Sequence, residues 1–336
     1  MSKLVVPLIK EVRDNLNQAG FQVSLIETNI NTCFDIIARK QKLTLLIKCL
    51  YYIDKFKSLL AEELKMVSHL VSAYPILIGK YTRKEGSEVH PGVIYDRKGI
   101  LTMNDKTLTE VVNNNIFPII MAKRGKYYIN LQKERLRERR LELNLSLKGL
   151  ADKIHTSRRT ISMYESGKIS AKLDSVIELE KALDISLELL AEPLNIFKMI
   201  KEHITNLNIR RNSTPIEADF QNELNEYFQE IGLDTFWTNK SLFDAIASEN
   251  PDFSKFPASI KKHFIITGIE NDNNQALKTK VRTINNISKV LQSLSMLIVD
   301  DTVDLKSNVP VLSFKDLKKI KDGKELIKKL YRLSNY

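Results

Sequence analysis

Two adjacent arginines, Arg158 and Arg159, are the side chains of this sequence with the most specific binding chemistry. They follow Ser157, a residue that favours the N-cap position of a helix, so the pair would stand in the first turn of that helix. A guanidinium fork matches the O6 and N7 acceptors of guanine in the major groove of DNA, with about 1–3 kcal/mol of discrimination per contact. The alternative is a solvated helix face on which the two arginines bind nothing.

The segment LSLKGLADKIHTSRRTISMYESGK, residues 145–168, has the apolar spacing of two short helices that share a small core. The inward positions are apolar or aromatic and lie one, three or four residues apart: Leu150, Ala151, Ile154, Ile161 and Tyr164. Ala151 is small because the second helix crosses close above it. Gly167 stands where that helix must end. The pattern therefore predicts a helical hairpin that holds the arginines outward.

This segment resembles the lambda-repressor/Cro-like helix-turn-helix family, also called XRE-type. The residues that carry the resemblance are Leu150-Ala151, Ser157, Ile161-Ser162, Glu165 and Gly167. The resemblance implies a five-helix domain that reads DNA through its third helix. The stretch SRRTISMYESG is also similar to a group of archaeal transcriptional regulators with extra flanking domains. Two positions depart from the pattern, because Leu147 stands where the family often has Gln and His155 where it prefers a turn glycine.

The resemblance and the helix geometry together predict a DNA-binding set on and after the second helix of the motif. Its members are Ser157, Arg158, Arg159, Ser162, Met163, Lys168 and Lys172. Ser157 and the helix N-terminus suit a phosphate, and the two lysines would anchor phosphates without base preference. Met163 would either touch a thymine methyl group or cover the core. Residues 130–174 hold eleven Lys or Arg and six Asp or Glu, a surplus of five positive charges.

A second set of reactive side chains lies near the N-terminus, where Asp35 in CFDIIA precedes a turn and a strand with Leu46-Ile47-Lys48. This arrangement resembles the PD-(D/E)XK nuclease fold. The resemblance implies two carboxylates that hold Mg²⁺ and a lysine that helps the attacking water. Leu46 stands at the second carboxylate position, so we expect no catalytic residues, no bound metal and no cofactor. The alternative for Asp35 is a carboxylate that accepts backbone N–H groups near a turn.

The pentapeptide FDIIA at residues 34–38 has a near copy, FDAIA, at residues 243–247. The stretches HLVSAYPILIG and VLQSLSMLIVD share a helix-to-strand transition, so the order of elements repeats as well. This predicts a duplicated α/β domain, and the alternative is two unrelated domains that share five residues by coincidence. Asp244 matches Asp35, but HFIITGI offers no acid or lysine, so the second copy is expected to be degenerate.

The predicted architecture is α/β plus all-α, with a central five-helix lambda-repressor-like domain between two similar α/β, restriction-endonuclease-like domains. The predicted boundaries place an inactive α/β domain at residues 1–126, the helix-turn-helix domain at 127–192, a helix and linker at 193–213, and the second α/β domain at 214–336. Both α/β domains are expected to be structural or dimer-forming.

Cys33 and Cys49 provide a test of strand register. Strand side chains alternate faces, so Asp35 shares a face with Lys48 only if the numbers of paired residues add to an odd number. The cysteines then point to opposite faces and form no bond. We favour this register over the one that pairs the cysteines and separates Asp35 from Lys48.

Composition favours an anionic partner. The 336 residues carry a net charge of +11, which fits nucleic acid, an acidic membrane surface, or a lysine-rich protein with no such partner. Two cysteines exclude a disulfide scaffold and a four-cysteine zinc site. The richest apolar stretch, LTLLIKCLYYI, is too short to span a membrane, and the N-terminal apolar run is too short for a signal peptide. We expect a cytoplasmic, nucleoid-associated protein without membrane contact.

The leading hypothesis is a sequence-specific transcriptional regulator that binds double-stranded DNA as a homodimer, with recognition helix 157–165 in the major groove. One recognition helix touches only a few base pairs, so two-fold assembly is expected to supply further specificity. Two alternatives stay open: a metal-dependent nuclease or junction-resolving enzyme targeted by the helix-turn-helix, and a protein-interaction module.

Overall fold

A computed structural model describes residues 4–25, 32–83, 86–205, 219–249, 264–270, 275–299 and 307–334. Within these ranges the chain forms thirteen α-helices and fourteen β-strands, a mixed α/β architecture. The chain divides into two compact units: the first contains Met1–Tyr51, Lys55–Leu77 and Ile200–Tyr336, and the second contains Tyr52–Asp54 and Ile78–Met199. The linker predicted over IRRNSTP lies outside the described residues.

The N-terminal part of the chain runs in the order α1 (Val5–Gln18), β1 (Gln22–Leu25), β2 (Ile36–Lys40), β3 (Leu43–Tyr52), α2 (Ser58–Leu70) and β4 (Tyr74–Tyr81). Strands β1, β2 and β3 are antiparallel neighbours. In the β2–β3 hairpin Ile36 pairs with Ile47 and Ile37 with Leu46, so the paired numbers add to 83. The predicted odd register is therefore confirmed, and Cys33 and Cys49 form no disulfide bond with each other.

The second unit contains most of the central elements. They are β5 (Val93–Arg97), β6 (Ile100–Met103), α3 (Asp105–Asn114), β7 (Ile120–Lys123), β8 (Lys126–Ile129), α4 (Lys133–Glu142), α5 (Leu147–Lys153), α6 (Arg158–Glu165), β9 (Ala171–Lys172), α7 (Leu173–Leu183), α8 (Leu187–Leu190) and the start of α9 (Ile196–Thr205). The strands neighbour one another in the order β6-β5-β7-β8-β9. The stretches GVIYD and GILTM both form strands, β5 and β6, which pair in antiparallel fashion.

Helices α4 to α8 share a hydrophobic core with the end of the β7–β8 hairpin. The core combines the predicted inward positions with residues before and after them: Ile129, Leu131, Leu136, Leu150, Ala151, Ile154, Ile161, Tyr164, Ala171, Val176, Leu179, Leu183, Ile185, Leu190 and Ala191. Ile129 of β8 belongs to this core, so the hairpin is anchored to the helices through its apolar end. The predicted boundary between residues 126 and 127 falls at the start of β8.

The C-terminal part of the first unit runs in the order α10 (Asp219–Glu230), β10 (Asp234–Trp237), β11 (Ala245–Ser248), β12 (Phe264–Glu270), α11 (Gln275–Leu291), β13 (Leu294–Val299), β14 (Val311–Ser313), α12 (Phe314–Leu317) and α13 (Gly323–Leu333). Strands β10, β11 and β12 are antiparallel, whereas β12, β13 and β14 are parallel. The series α10-β10-β11-β12-α11-β13 thus follows the same order as α1-β1-β2-β3-α2-β4.

The N-terminal and C-terminal parts contact each other within the first unit. The buried carboxylate of Glu63, on α2, accepts hydrogen bonds from Lys240 N at 2.7 Å and from Ser241 Oγ at 3.2 Å. Arg39 Nη1 donates to the carbonyl oxygen of Leu291, at the end of α11, at 2.6 Å. In both contacts a charged side chain of the N-terminal part bonds to a backbone group of the C-terminal part, 252 and 177 residues away in the sequence.

Candidate nucleic-acid interface

Local capping and turn chemistry set the position of α6. Ser157 is its N-cap residue and accepts a hydrogen bond from Thr160 N at 3.0 Å through its side-chain oxygen. His155 has a positive φ of 52°, which makes the turn between α5 and α6. Gly167 has a φ of 68° just after α6, a left-handed conformation that glycine adopts without strain. Three short-range features therefore define where α6 begins and ends.

The two faces of α6 differ in burial as the apolar spacing predicts. Ile161 is fully buried and Tyr164 is 6% exposed, so these side chains hold the helix on the core. Arg158 and Arg159 are exposed, and across the described parts of the chain neither guanidinium has a carboxylate or other hydrogen-bonding partner. Both cationic groups in the first turn are therefore available to a ligand.

The remaining predicted contact residues extend from the same helix into the segment after it. Ser162 is exposed one turn beyond Arg158. Met163 is half-buried, which is consistent with contact to a thymine methyl group and with covering the core. Lys168 and Lys172 are exposed. Lys172 lies in β9, where it pairs with Tyr128 of β8. The structure thus brings four of the predicted side chains together on α6 and places the two lysines on the segment that follows.

A buried ion pair fixes the C-terminal end of α6 to α4. Arg140 Nε and Nη2 donate to the two carboxylate oxygens of Glu165 at 2.5 and 3.0 Å, and Nη1 donates to the carbonyl oxygen of Leu145 at 2.7 Å. These bonds to Glu165 raise the pKa of Arg140 above its ordinary value, so the guanidinium stays charged. Sequence reasoning had not assigned Arg140 this role, since nothing local marks a partner 25 positions away.

The β7–β8 hairpin is a second feature that the sequence reasoning missed. Its turn residues, Arg124 and Gly125, have φ values of 49° and 74°, as a two-residue type I′ turn requires. The stretch IIMAKRGKYYI carries a recognisable pattern, because apolar and aromatic runs stand on both sides of an Arg-Gly turn. The hairpin connects to β9, directly after α6, through strand pairing between β8 and β9.

Asp35 and Lys48 form a buried ion pair. Lys48 Nζ donates to Asp35 Oδ1 at 3.0 Å, and the backbone N–H of Cys49 donates to Oδ2 at 2.7 Å. The two side chains are 1% and 5% exposed, and burial raises the pKa of the Asp35 carboxyl. Leu46, at the second carboxylate position, is fully buried. Both oxygens of Asp35 are thus occupied by protein donors, and the described residues contain no group of three or more potential metal ligands.

The second copy repeats the carboxylate but takes its lysine from another element. Asp244 Oδ2 accepts from the backbone N–H of Ile269 at 2.7 Å, as Asp35 does from Cys49. Lys280 of α11 donates to the same oxygen at 3.0 Å. Gly268 stands at the position that corresponds to the lysine of β3, where an added Cβ atom would come within 2.5 Å of Ile284 Cδ1. Helix α11 thus packs beside Gly268 and also supplies the lysine that contacts Asp244.

The comparisons with known proteins agree with this geometry. Residues 136–190 match the helix-turn-helix family, and residues 6–118 match the PD-(D/E)XK superfamily domain. The protein therefore combines a helix-turn-helix domain of XRE type with a PD-(D/E)XK superfamily domain. None of the described helices is both long enough and apolar enough to cross a membrane.

Full-length relatives define the family more narrowly. A protein of Thermococcus kodakarensis is 30% identical over 97% of this chain and 95% of its own length. Proteins of Methanothermobacter thermautotrophicus and Pyrococcus furiosus are 30% and 29% identical over 96% and 94% of this chain, and 94% of their own length in each case. All three carry the name "Putative HTH-type transcriptional regulatory protein". The chain belongs to this archaeal family.

Proposed function

We propose that this protein is a sequence-specific transcriptional regulator that binds double-stranded DNA as a homodimer and inserts α6 into the major groove. The helix-turn-helix match and the names of the full-length relatives support a DNA-binding regulator. The net charge of +11 is consistent with a polyanionic partner.

The observation that carries this proposal is that the guanidinium groups of Arg158 and Arg159 are exposed and unpaired among the described residues. The backbone of both residues is held by the Ser157 cap and by the buried side chains of Ile161 and Tyr164. A helix with a fixed backbone and unpaired planar donors suits base recognition, because less conformational entropy is lost when the DNA binds. Ser162 and Met163 would complete the base contacts, and Lys168 and Lys172 would bind phosphates.

Single substitutions of the two arginines test the recognition role. Arg158→Ala and Arg159→Ala should each weaken binding to a duplex selected in vitro with the full-length protein by about 1–3 kcal/mol, and should reduce its preference over a scrambled duplex. Fluorescence anisotropy measures both quantities. Arg332→Ala is the matched control, since Arg332 is also exposed and lies on α13. If both recognition variants bind like the control, α6 is not the reading helix.

Dimerisation follows from the small footprint of one helix. A pair of α6 helices about 34–36 Å apart would contact two half-sites separated by one turn of DNA. We propose that the two α/β parts, residues 1–126 and 214–336, support this assembly around the helix-turn-helix domain at residues 127–192. A selected site without two-fold symmetry, together with a monomer mass by light scattering on that site, would contradict the homodimer.

We also propose that the α/β parts cut no DNA and that the protein acts at the nucleoid without a cofactor. The supporting observation is that Asp35 is closed off by Lys48 and Cys49, while leucine stands at the second carboxylate position. The protein-interaction alternative differs in its salt dependence. Binding through phosphate contacts weakens steeply as salt rises, whereas a protein interface of mixed chemistry does not.

A further inference from the structure

Strands β7, β8 and β9 are neighbours in one sheet, and this part of the sheet has an apolar face and a face that carries lysines. Cross-strand partners share a face, and residues two apart on a strand return to it. Lys123 pairs with Lys126, and Lys172 pairs with Tyr128, so the three lysines lie on the same face. The opposite face carries Ile129 and Ala171, which are buried in the core of the helices. The lysine face, defined as Lys123, Lys126 and Lys172, is therefore turned away from that core.

The tip of the hairpin adds a fourth cation in open space. All residues from 123 to 126 are exposed, and a Cβ atom added to Gly125 would meet nothing within 4 Å. Among the described residues, Lys123, Arg124 and Lys126 have no hydrogen-bonding or ion-pair partner. Asp96, near the end of the neighbouring strand β5, accepts a hydrogen bond from Gly99 N at 3.0 Å. Three free cations thus stand within four residues.

The backbone at the tip points to a role for the arginine side chain. The first central position of a type I′ turn favours Asn, Asp or Gly, because φ must be positive. Arg124 occupies it with a φ of 49°. A long cation is therefore held at the turn although a smaller residue would suit the backbone better.

We propose that the lysine face and Arg124 form a second DNA contact, which binds phosphates beside the site that α6 reads. This inference rests on the proposed DNA-binding function. The lysine face already includes Lys172, a predicted phosphate ligand, and Lys126 lies only two residues, about 7 Å, along β8 from the partner of Lys172. The root of the hairpin is fixed to the helical core, because Ser170 Oγ donates to Asn130 Oδ1 at 2.7 Å and Ile129 is buried there. The basic tip is thus continuous with the proposed interface.

A triple substitution in the full-length protein tests the second contact. The variant carries Lys123→Gln, Arg124→Asn and Lys126→Gln. Asparagine is chosen at position 124 because it adopts the positive φ of this turn position more readily than most residues. The control carries the same loss of charge on exposed lysines of the C-terminal part: Lys321→Gln, Lys324→Gln and Lys328→Gln. Fluorescence anisotropy of both variants and the parent protein is recorded on the selected duplex and on a scrambled duplex, from low to moderate salt.

For the hairpin variant, the slope of log binding constant against log salt concentration should be smaller in magnitude by about 2–3. Each lost phosphate contact lowers the magnitude of this slope by about 0.9. Its affinity at physiological salt should fall by about 100-fold on both duplexes, so the preference for the selected duplex is kept. A hairpin variant with the slope and affinity of the control, in a protein that still binds the selected duplex, overturns the inference alone. A parent protein that binds neither duplex overturns the proposed function together with it.

Discussion

Replacing Lys48 by methionine should destabilise the first unit by about 3–5 kcal/mol, because the Asp35 carboxyl then stays buried without its counter-ion. Asp35 is 1% exposed and then keeps one hydrogen-bond donor among the described residues, the N–H of Cys49. The carboxyl must therefore either remain charged in an apolar site or take up a proton. Methionine fills the volume of the lysine stem, so the loss comes from the charge and not from a cavity.

The second copy offers a matched comparison within the same chain. Lys280 and Asp244 make the same contact at 3.0 Å, but their side chains are 23% and 28% exposed. Water therefore solvates the carboxylate that Lys280→Met leaves behind, and we expect a loss of about 1 kcal/mol or less. The charges are of the same kind in both copies, so the larger loss is expected at the more deeply buried pair.

Urea unfolding followed by tryptophan fluorescence measures both losses. The chain has one tryptophan, Trp237, which is 6% exposed in the core of the first unit, so its emission reports on the unit that contains both ion pairs. The double variant Asp35→Asn/Lys48→Met should recover part of the stability, because both charges are removed. Equal small shifts for Lys48→Met and Lys280→Met would refute the assignment of a buried structural pair at Asp35.

Three further outcomes follow from buried groups. Burial raises the pKa of the Glu63 carboxyl above 4.5, so the stabilising contribution of this group is full below pH 4.5 and is lost as the pH rises through the higher folded-state pKa. The urea midpoint of the parent protein should therefore fall relative to that of Glu63→Gln as the pH rises over this range. Parallel pH profiles of the two proteins would refute the expectation. Arg140→Met should lower the opening free energy of α6 by about 3 kcal/mol in amide hydrogen exchange, because Glu165 loses its partner, whereas Arg137→Met at an exposed position should change little. Full-length protein with Mg²⁺ should leave supercoiled plasmid and branched DNA intact, and cleavage that disappears in Asp35→Ala would show that the first α/β part is an active nuclease.

The start, end and orientation of α6 could be predicted from neighbouring residues. Serine at the cap, glycine after the last turn and apolar residues three apart act over a few positions, where hydrogen-bond and burial energies depend little on the rest of the chain. The register of the β2–β3 hairpin was likewise predictable, because a slip by one residue would exchange the buried and exposed faces of each strand.

Partners distant in the sequence were not predictable. Nothing local indicates that Arg140 binds Glu165, or that Glu63 of α2 accepts hydrogen bonds from residues 239–241. The hairpin pattern was present in IIMAKRGKYYI, but its pairing with β9 depends on a core that also includes five helices.

The sequence by itself determined a helix that carries Arg158 and Arg159 outward, and an N-terminal acid and lysine on one strand face. The tertiary structure decided what those groups do: it left the two arginines unpaired among the described residues and closed Asp35 against Lys48. In the second copy the lysine that contacts the carboxylate comes from α11, whose Ile284 packs beside Gly268. Local chemistry sets which way a side chain points, whereas its charge state and partners depend on which distant elements exclude water from it.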